Sequence, residues 1–499
     1  MKPIDLRVEG VRQGAIEVAR NRMIFVMALF TLGFSTLAIK LVTVGVFQAN
    51  GETYYQAASA NTALLMARAD IVDRNGVVLA TNLKTPSLGV NPHKIENAEL
   101  LSYKIAEILP SLKRDDVLKN LTSTRRHVWV KRKLTPKQMF EINKLGEPGL
   151  VFSDAEKRIY PHGSLVSHVL GSVGVDNQPS AGVELFFDER LSDPLRSEEP
   201  LELSIDIRIQ YILNQELSNY VEKFSAKGGA GVILDAKTGE VLAMTNYPSF
   251  NPNGYNKIGP FIKNRAVTDV FEPGSTMKPI SLAVALEKNI VTPNTSIDTG
   301  NGSYKYEGKY IYDSHAHGVI SAKDVVKVSS NIGSAKISQK ISSINLAAMY
   351  KKFGYGVKTG INFPGEVSGF LRKHTKWKPI DHSRMSFGYG MNSTLIQTAQ
   401  AYTVFANKGN LKPVKLIKGN DSKISKKVLS PKTAEAMLSI LESVTDGEGG
   451  TAHKAKVYGY RVAGKTGTTK KDDKVNGGYL KGKYIGTFVG LGPVSNPRF

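Results

Sequence analysis

The reactive groups of this chain fall in three short runs. Ser275-Thr276-Met277-Lys278 follows Pro273-Gly274 and leads into the apolar positions Ile280, Ala283, Val284 and Leu286, so a helix is expected to start here. Residues three apart share a helix face, which sets Ser275 beside Lys278. An unassisted serine hydroxyl is a weak nucleophile. A lysine desolvated among apolar neighbours can lose its proton near neutral pH and act as the base. Developing negative charge is favoured at a helix N-terminus, and Pro279 costs little in a first turn, where an N–H has no helical partner. Ser-x-x-Lys alone is a weak signal, and its place at a helix start gives it weight.

Lys-Thr-Gly occurs three times. Lys237-Thr238-Gly239 is expected to turn a hairpin, and Lys358-Thr359-Gly360 lies in a Gly-rich loop after a helix; both read as punctuation. The third, Lys465-Thr466-Gly467-Thr468, follows strand-like Tyr460 to Gly464 and precedes an expected hairpin tip at Lys470 to Asp473. On a strand Thr466 and Thr468 point the same way, and two hydroxyls on one face can hold a carboxylate. Gly467 lets another backbone lie close alongside. Between these runs, Ser329-Ser330-Asn331 interrupts an apolar helical pattern from Asp324 to Ile341. Such a break is more often a cap or kink than a site.

These groups need a scaffold. Amphipathic Ile207 to Phe224 leads into two apolar strands, Gly229 to Asp235 and Glu240 to Asn246, followed by several helices between 324 and 408 and a terminal strand pair. From about residue 201 onward this reads as an α+β domain. Upstream, Arg68 to Asn82 reads as two short strands turned at Asp73-Arg74-Asn75-Gly76, where Asn-Gly would supply positive φ. Ser111 to Leu118 and Lys137 to Leu145 look helical, and no nucleophile, base and oxyanion donors gather between 48 and 200. That region is expected to be a non-catalytic mixed α/β pedestal.

With 499 residues, two or three domains are expected. The chain has no cysteine, which excludes disulfides, thiolate metal sites and cysteine nucleophiles. A formal charge of +22 suits nucleic acid, an anionic membrane surface or an acidic polymer. The N-terminus narrows the choice. Residues 23–47 form an apolar run broken only by Lys40, about 25 residues, enough for one tilted bilayer span. Lys2, Arg7, Arg12, Arg20 and Arg22 precede it, so residues 1–22 are expected in the cytoplasm and the remainder outside it. An exported chain does not meet nucleic acid, and the charge is assigned to anionic lipids and wall polymers.

Ser-x-x-Lys, then Ser-x-Asn 54 residues on, then Lys-Thr-Gly-Thr 190 residues after the serine, resembles the penicilloyl-serine transferase family in motif order. Arg68 to Gly76, Arg158-Ile159-Tyr160-Pro161, His168 to Gly171 and Gly182-Val183-Glu184 resemble the pedestal of class B penicillin-binding proteins; Ala69 stands where that family usually has glycine. Tyr247 to Asn253, Phe271 to Pro279 and Gly388-Tyr389-Gly390 are similar to the catalytic part, in versions that resemble the division-specific branch, penicillin-binding protein 3. The resemblance implies a transpeptidase fold with a central sheet flanked by helices at 201–499, a pedestal at 48–200 and a single-pass inner-membrane anchor at 23–47.

The resemblance also implies the roles. Ser275 would attack the penultimate D-alanine of a stem peptide, Lys278 would take its proton, and Ser329 and Asn331 would relay it and hold the substrate amide. Lys465 would complete the network, Thr466 and Thr468 would bind the terminal carboxylate beside Gly467, and the N–H groups of Ser275 and Thr468 would form the oxyanion hole. An amine on a second stem peptide would resolve the acyl-enzyme, and β-lactams would acylate the same serine. No cofactor or metal is expected. The implied partners are peptidoglycan, a polytopic glycan polymerase and division-complex membrane proteins, and the implied place is the extracytoplasmic face of the inner membrane at the division site.

Two readings compete. A β-lactam hydrolase needs a base for water, and the Glu-x-x-Leu-Asn segment of class A β-lactamases does not occur in the chain. A non-catalytic β-lactam sensor or division scaffold would not need Lys278, Ser329 and Lys465 together. The family also continues past the return strand Tyr484 to Leu491 with a further strand and a helix, so the form ending at Phe499 is expected to be C-terminally incomplete. The Lys465 strand would then lack any hydrogen-bonded connection to Gly229 to Asn246. The three Lys-Thr-Gly copies provide an internal control. Lys465→Ala should cut penicillin acylation by orders of magnitude, whereas Lys237→Ala and Lys358→Ala should leave it nearly unchanged in a fluorescent-penicillin time course.

Overall fold

The computed structural model describes residues 6–42, 68–174, 177–254, 259–419, 425–473 and 476–499. One unit holds helix α1, Leu6–Val42. Its stretch Ile16–Lys40 has a mean hydropathy of 1.9 and is exposed, long and apolar enough to cross a bilayer. Of the expected span 23–47, residues 43–47 lie outside the described residues, as do 48–67 of the expected pedestal.

The second unit is Ala67–Phe499. It opens with strands β1 (Ile71–Val72), β2 (Val78–Val90), β3 (Val128–Lys131), β4 (Leu150–Ile159) and β5 (Leu201–Glu202), ordered β3-β2-β1-β5 with β4 also on β2. At the β1–β2 turn only Gly76 takes the left-handed conformation (φ +84°), while Asp73 Oδ1 accepts from the N–H groups of Asn75 and Val77 at 2.7 and 2.9 Å. One carboxylate thus replaces the second positive φ that Asn-Gly suggested. Helices α2 (Ala98–Ile108), α3 (Arg114–Leu121) and α4 (Pro136–Asn143) cover the far half of β2 through a core including Leu88, Leu101, Ile105, Val117, Leu121 and Ile142. Thr135 and Gln138 form a capping box on α4, which explains its start one residue before the expected one.

Three separated runs meet at Glu184. Its carboxylate accepts from Arg68 Nε at 3.0 Å, Arg158 Nε at 2.7 Å and the Tyr160 hydroxyl at 3.3 Å, with all four side chains buried. Arg68 also reaches Asp188 at 2.6 Å. Fixed arginine forks suit a buried carboxylate, and removing such a partner leaves uncompensated charge.

The later elements that position the site include α5 (Ile207–Lys223), β6 (Gly229–Leu234), β7 (Val241–Tyr247), α6 (Lys278–Glu287), β8 (Ser303–Tyr306), β9 (Lys309–Tyr312), α7 (Ala322–Lys327), α8 (Asn331–Gln339), α9 (Leu395–Ala406), α10 (Pro431–Asp446), β10 (Ala463–Asp472) and β11 (Tyr479–Leu491). This is the α+β architecture expected. Helix α6 is the axis of the larger core: Ile280, Leu282, Ala283 and Val284 share a buried cluster with Tyr402 and Phe405 of α9 and Met437, Leu441 and Val444 of α10. A second cluster is continuous across the two regions, joining Ile71, Leu79 and Leu203 to Leu234, Val241, Met244 and Val414.

Strand β10 is displaced from its expected limits. It begins at Ala463 rather than Tyr460, and Lys470 to Asp472, expected in the tip, still pair with β11. Among the described residues β10 and β11 form a two-stranded ribbon and β6 and β7 another, with no ladder between them. The link that exists lies outside the strands: Ala236 N, in the turn after β6, donates to Arg498 O at 2.6 Å in the tail after β11, and Arg498 Nε donates to Asp235 Oδ2 at 3.3 Å.

Glu184→Ala should strand two buried guanidinium groups and cost about 3–5 kcal/mol. Chemical denaturation would measure it, with Lys84→Ala on exposed β2 surface as the near-neutral comparison.

Candidate active site

Ser275 does not sit in an α-helical turn. Gly274–Met277 is a 3-10 turn, and α6 begins at Lys278 with Pro279 in its first turn. Gly274 adopts φ +56°, and its N–H donates to Gly388 O at 3.1 Å. A Cβ on Gly388 would fall 2.2 Å from Gly274 O, so the Gly-Tyr-Gly run is glycine there because the two backbones touch. The Tyr402 hydroxyl donates to Thr276 O at 2.8 Å and holds the turn from below. Ser275 is half-buried, and among the described residues its hydroxyl makes no hydrogen bond.

Lys278 and Lys465 are both fully buried and converge on Ser329. Lys278 Nζ donates to the Ser329 carbonyl and, at 3.1 Å, to Ser329 Oγ; Lys465 Nζ donates to the same Oγ at 3.0 Å and to Thr466 O at 3.1 Å. Ser329 lies in the break between α7 and α8 with φ +64°, a left-handed conformation that costs a non-glycine residue about 1–2 kcal/mol. That conformation turns its carbonyl and hydroxyl together toward Lys278. With both lone pairs of Oγ taken by the lysines, its proton is left to donate elsewhere.

Burial pushes the Lys278 ammonium well below the ordinary lysine range, the charge of Lys465 adds to this, and Asp313 opposes it. Burial brings Lys465 down to about 7. Hence the pair is readily stripped of a proton near neutrality.

Asp313 was not singled out from the sequence. It ends the β8–β9 hairpin and caps α8: Oδ2 accepts from Ser330 Oγ at 2.6 Å, and Oδ1 accepts from the N–H groups of Asn331 and Ile332 at 2.5 and 3.0 Å. Asn331 Nδ2 donates to Tyr312 O at 2.7 Å, which leaves its side-chain oxygen for a ligand amide. The only sequence hint was the Ser330 cap position, which says nothing about a partner 17 residues upstream.

The first two Lys-Thr-Gly copies are turns, with Gly239 and Gly360 at φ +80° and +77°. Lys237 Nζ donates to Ala406 O at 3.3 Å, and Thr359 is bound by Glu366. The third lies on β10, with Lys465 and Gly467 facing inward, Thr468 exposed, and Thr466 Oγ1 donating to Thr451 Oγ1 at 3.3 Å. The backbone admitted by Gly467 is the chain's own Ser275 turn: a Cβ there would lie 3.1 Å from Thr276 Cγ2 and 3.2 Å from Pro273 O. The eight singled-out residues thus lie on three stretches of chain, 275–278, 329–331 and 465–468, joined at the Ser329 hydroxyl and where Gly467 meets the Ser275 turn.

Residues 229–499 match the penicillin binding protein transpeptidase domain family, and 65–190 match the penicillin-binding protein dimerisation domain family. The chain is 35% identical over 461 residues to the probable peptidoglycan D,D-transpeptidase PenA of Neisseria meningitidis, covering 86% of this chain and 78% of the relative. It is 32% identical over 462 residues to the peptidoglycan D,D-transpeptidase FtsI of Escherichia coli, covering 87% and 78%. Among solved structures, the transpeptidase domain of penicillin-binding protein 3 from Burkholderia pseudomallei is 43% identical, with a TM-score of 0.54, over 59% of this chain and 85% of that one. Penicillin-binding protein 3 from Mycobacterium tuberculosis, solved with aztreonam, is 27% identical with a TM-score of 0.69, covering 87% and 88%.

Asp313→Ala removes three acceptor contacts at the start of α8. Charge-assisted bonds are worth about 1.5–3 kcal/mol, so penicillin acylation should slow roughly ten- to a hundredfold, and Asp313→Asn, which keeps one acceptor oxygen, should fall between. Stopped-flow acylation would rank the three proteins, and equal rates would show that the cap is dispensable.

Proposed function

The chain belongs to the penicillin-binding protein transpeptidases and is a peptidoglycan D,D-transpeptidase that binds β-lactams; on that premise we propose which residues perform each step. Ser275 attacks the carbonyl of the penultimate D-alanine of a stem peptide, and its proton passes to Lys278. The oxygen that becomes negative in the tetrahedral intermediate is held by the N–H groups of Ser275 and Thr468. Collapse breaks the peptide bond to the terminal D-alanine, whose amine leaves with a proton relayed through Ser329. An amine of a second stem peptide then attacks the ester, gives up a proton along the same relay, and restores Ser275 as the cross-link forms.

The observation that carries this reading is the single hydroxyl of Ser329 placed between Lys278 and Lys465 at 3.1 and 3.0 Å. A lysine in the neutral form is a base, one in the charged form is an electrostatic anchor, and the pair supplies both from identical side chains. Thr466 and Thr468 hold the terminal carboxylate beside Gly467, while Asn331 holds the donor amide.

The domain limits proposed are a cytoplasmic tail at 1–22, an anchor at 23–47, a pedestal at 48–200 and the transpeptidase region at 201–499. The apolar stretch Ile16–Lys40 supports a single-pass anchor. Cations ahead of it favour a cytoplasmic N-terminus, with the catalytic region outside the inner membrane. Similarity to FtsI supports work at the division septum beside a glycan polymerase and other division-complex membrane proteins.

Mass spectrometry after benzylpenicillin treatment should place the adduct on Ser275, and Ser275→Ala should lose it while melting normally. An adduct on another residue overturns the assignment. In wild type the acylation rate should climb with pH as Lys278 becomes neutral and fall again as Lys465 deprotonates, the alkaline limb starting near 7 rather than at the ordinary lysine value.

A further inference from the structure

Glu272 stands three residues before Ser275 and has no part in the acyl transfer described above. Its carboxylate joins two other elements: Oε1 accepts from Gly390 N at 2.8 Å, and Oε2 accepts from the Tyr479 hydroxyl at 2.9 Å. Tyr479 opens β11 and pairs with Asp472, so this bond reaches the outer end of the β10–β11 ribbon. The ring of Tyr389 meets that of Tyr479 edge-on at 6.4 Å between centroids, and Phe387 abuts Tyr389 at 5.8 Å. Phe271 and Ser393 exchange two backbone hydrogen bonds of 3.0 Å on the other side of Glu272.

The ribbon needs an outer tether. Among the described residues β10 and β11 pair only with each other; their inner end shares the core of α10 through Ala463 and Leu491, but Lys470 to Asp472 are exposed, and a two-stranded stretch without such packing is marginally stable in water. Its inner part is located by Gly467 against Pro273 and Thr276. Beyond that, the register shifts between Lys470 and Asp472, so the position of the outer part does not follow from the inner.

We propose that Tyr479 and Glu272 are positioning residues whose hydrogen bond ties the outer ribbon to the nucleophile turn and sets the gap in which a substrate carboxylate meets Thr466 and Thr468. This rests on the reading of Ser275 as nucleophile and of the two threonines as the carboxylate holders. The groups facing Glu272 suit the role. Burial raises its carboxyl, the bonds from Gly390 and Tyr479 hold it down, Asp472 raises it and Arg384 lowers it. Burial and Glu272 both push the Tyr479 phenol up. At neutral pH the phenol therefore keeps its proton to donate. Tyr389, shifted upward by burial, stays neutral beside them.

Stopped-flow acylation by benzylpenicillin separates pre-covalent affinity from the chemical step. Tyr479→Phe should weaken the pre-covalent affinity about tenfold, which is about 1.4 kcal/mol, while the limiting acylation rate changes less than about threefold and the adduct stays on Ser275. The double variant Tyr479→Phe with Glu272→Gln should be no weaker than the weaker single variant. Unchanged affinity in Tyr479→Phe overturns the proposal, as does a smaller labelled fraction with unaltered constants, the mark of a purely structural loss. If wild type is not acylated at Ser275, the underlying reading fails instead, and the adduct map distinguishes the two failures.

Discussion

Two buried ammonium groups competing for one serine hydroxyl are the constraint around which the rest is arranged. Like charges this close in a poorly polarisable interior disfavour each other's protonation, so the site cannot comfortably hold both lysines charged. Each lysine must nevertheless be aimed at Ser329 Oγ, and each comes from a different element. Lys278 is fixed because α6 is buried along its length. Lys465 is fixed because Gly467 lets β10 settle on the Ser275 turn. Ser329 meets both only by taking a left-handed backbone, a cost that the Asp313 cap on the next helix offsets.

The pedestal is more than a stalk under this arrangement. Its first strands share a continuous apolar cluster with β6, β7 and the segment around Val414, and Asn253 exchanges hydrogen bonds with the Tyr160 backbone at 3.0 and 2.9 Å. Tyr160 in turn touches Glu184, so the buried ion cluster and the catalytic region are braced through one residue. The core formed by α2, α3 and α4 stands apart from that seam, in a cluster of its own.

What the sequence made legible was local. The order of the three runs and the break at Ser329 follow from spacings of a few residues and are found where they were read, while the helix after Pro273-Gly274 is present but begins three residues late, at Lys278. What it hid depends on the chain returning from a distance. Asp313 reaches α8 only because the Ser303–Tyr306 and Lys309–Tyr312 hairpin folds back, and nothing in an isolated aspartate announces that. Likewise Arg68, Arg158 and Glu184 were noticed as separate runs, with no sign that they meet. The 3-10 form of the Ser275 turn was missed because a three-residue spacing serves both helix types. Lys470 to Asp472 misled because a ribbon with little covering lacks the alternation that marks a strand.

The site also explains why an acyl-serine formed here should wait for an amine instead of being lost to water. Water is a weaker nucleophile than an amine, so its attack on the ester needs more help from a general base. The structure ties two carboxylates to this site, and both are engaged. Asp313 accepts from three donors at the start of α8, and Glu272 accepts from Gly390 and Tyr479. Freeing either one to activate water would undo the cap or the tether that it maintains. An incoming amine is intrinsically more nucleophilic than water and needs only to shed a proton, for which the Ser329 relay between the two lysines suffices. The same lysine relay is open to water, so transfer is favoured by the greater nucleophilicity of the amine, with the nearby carboxylates committed to the cap and the tether and adding no second base for water.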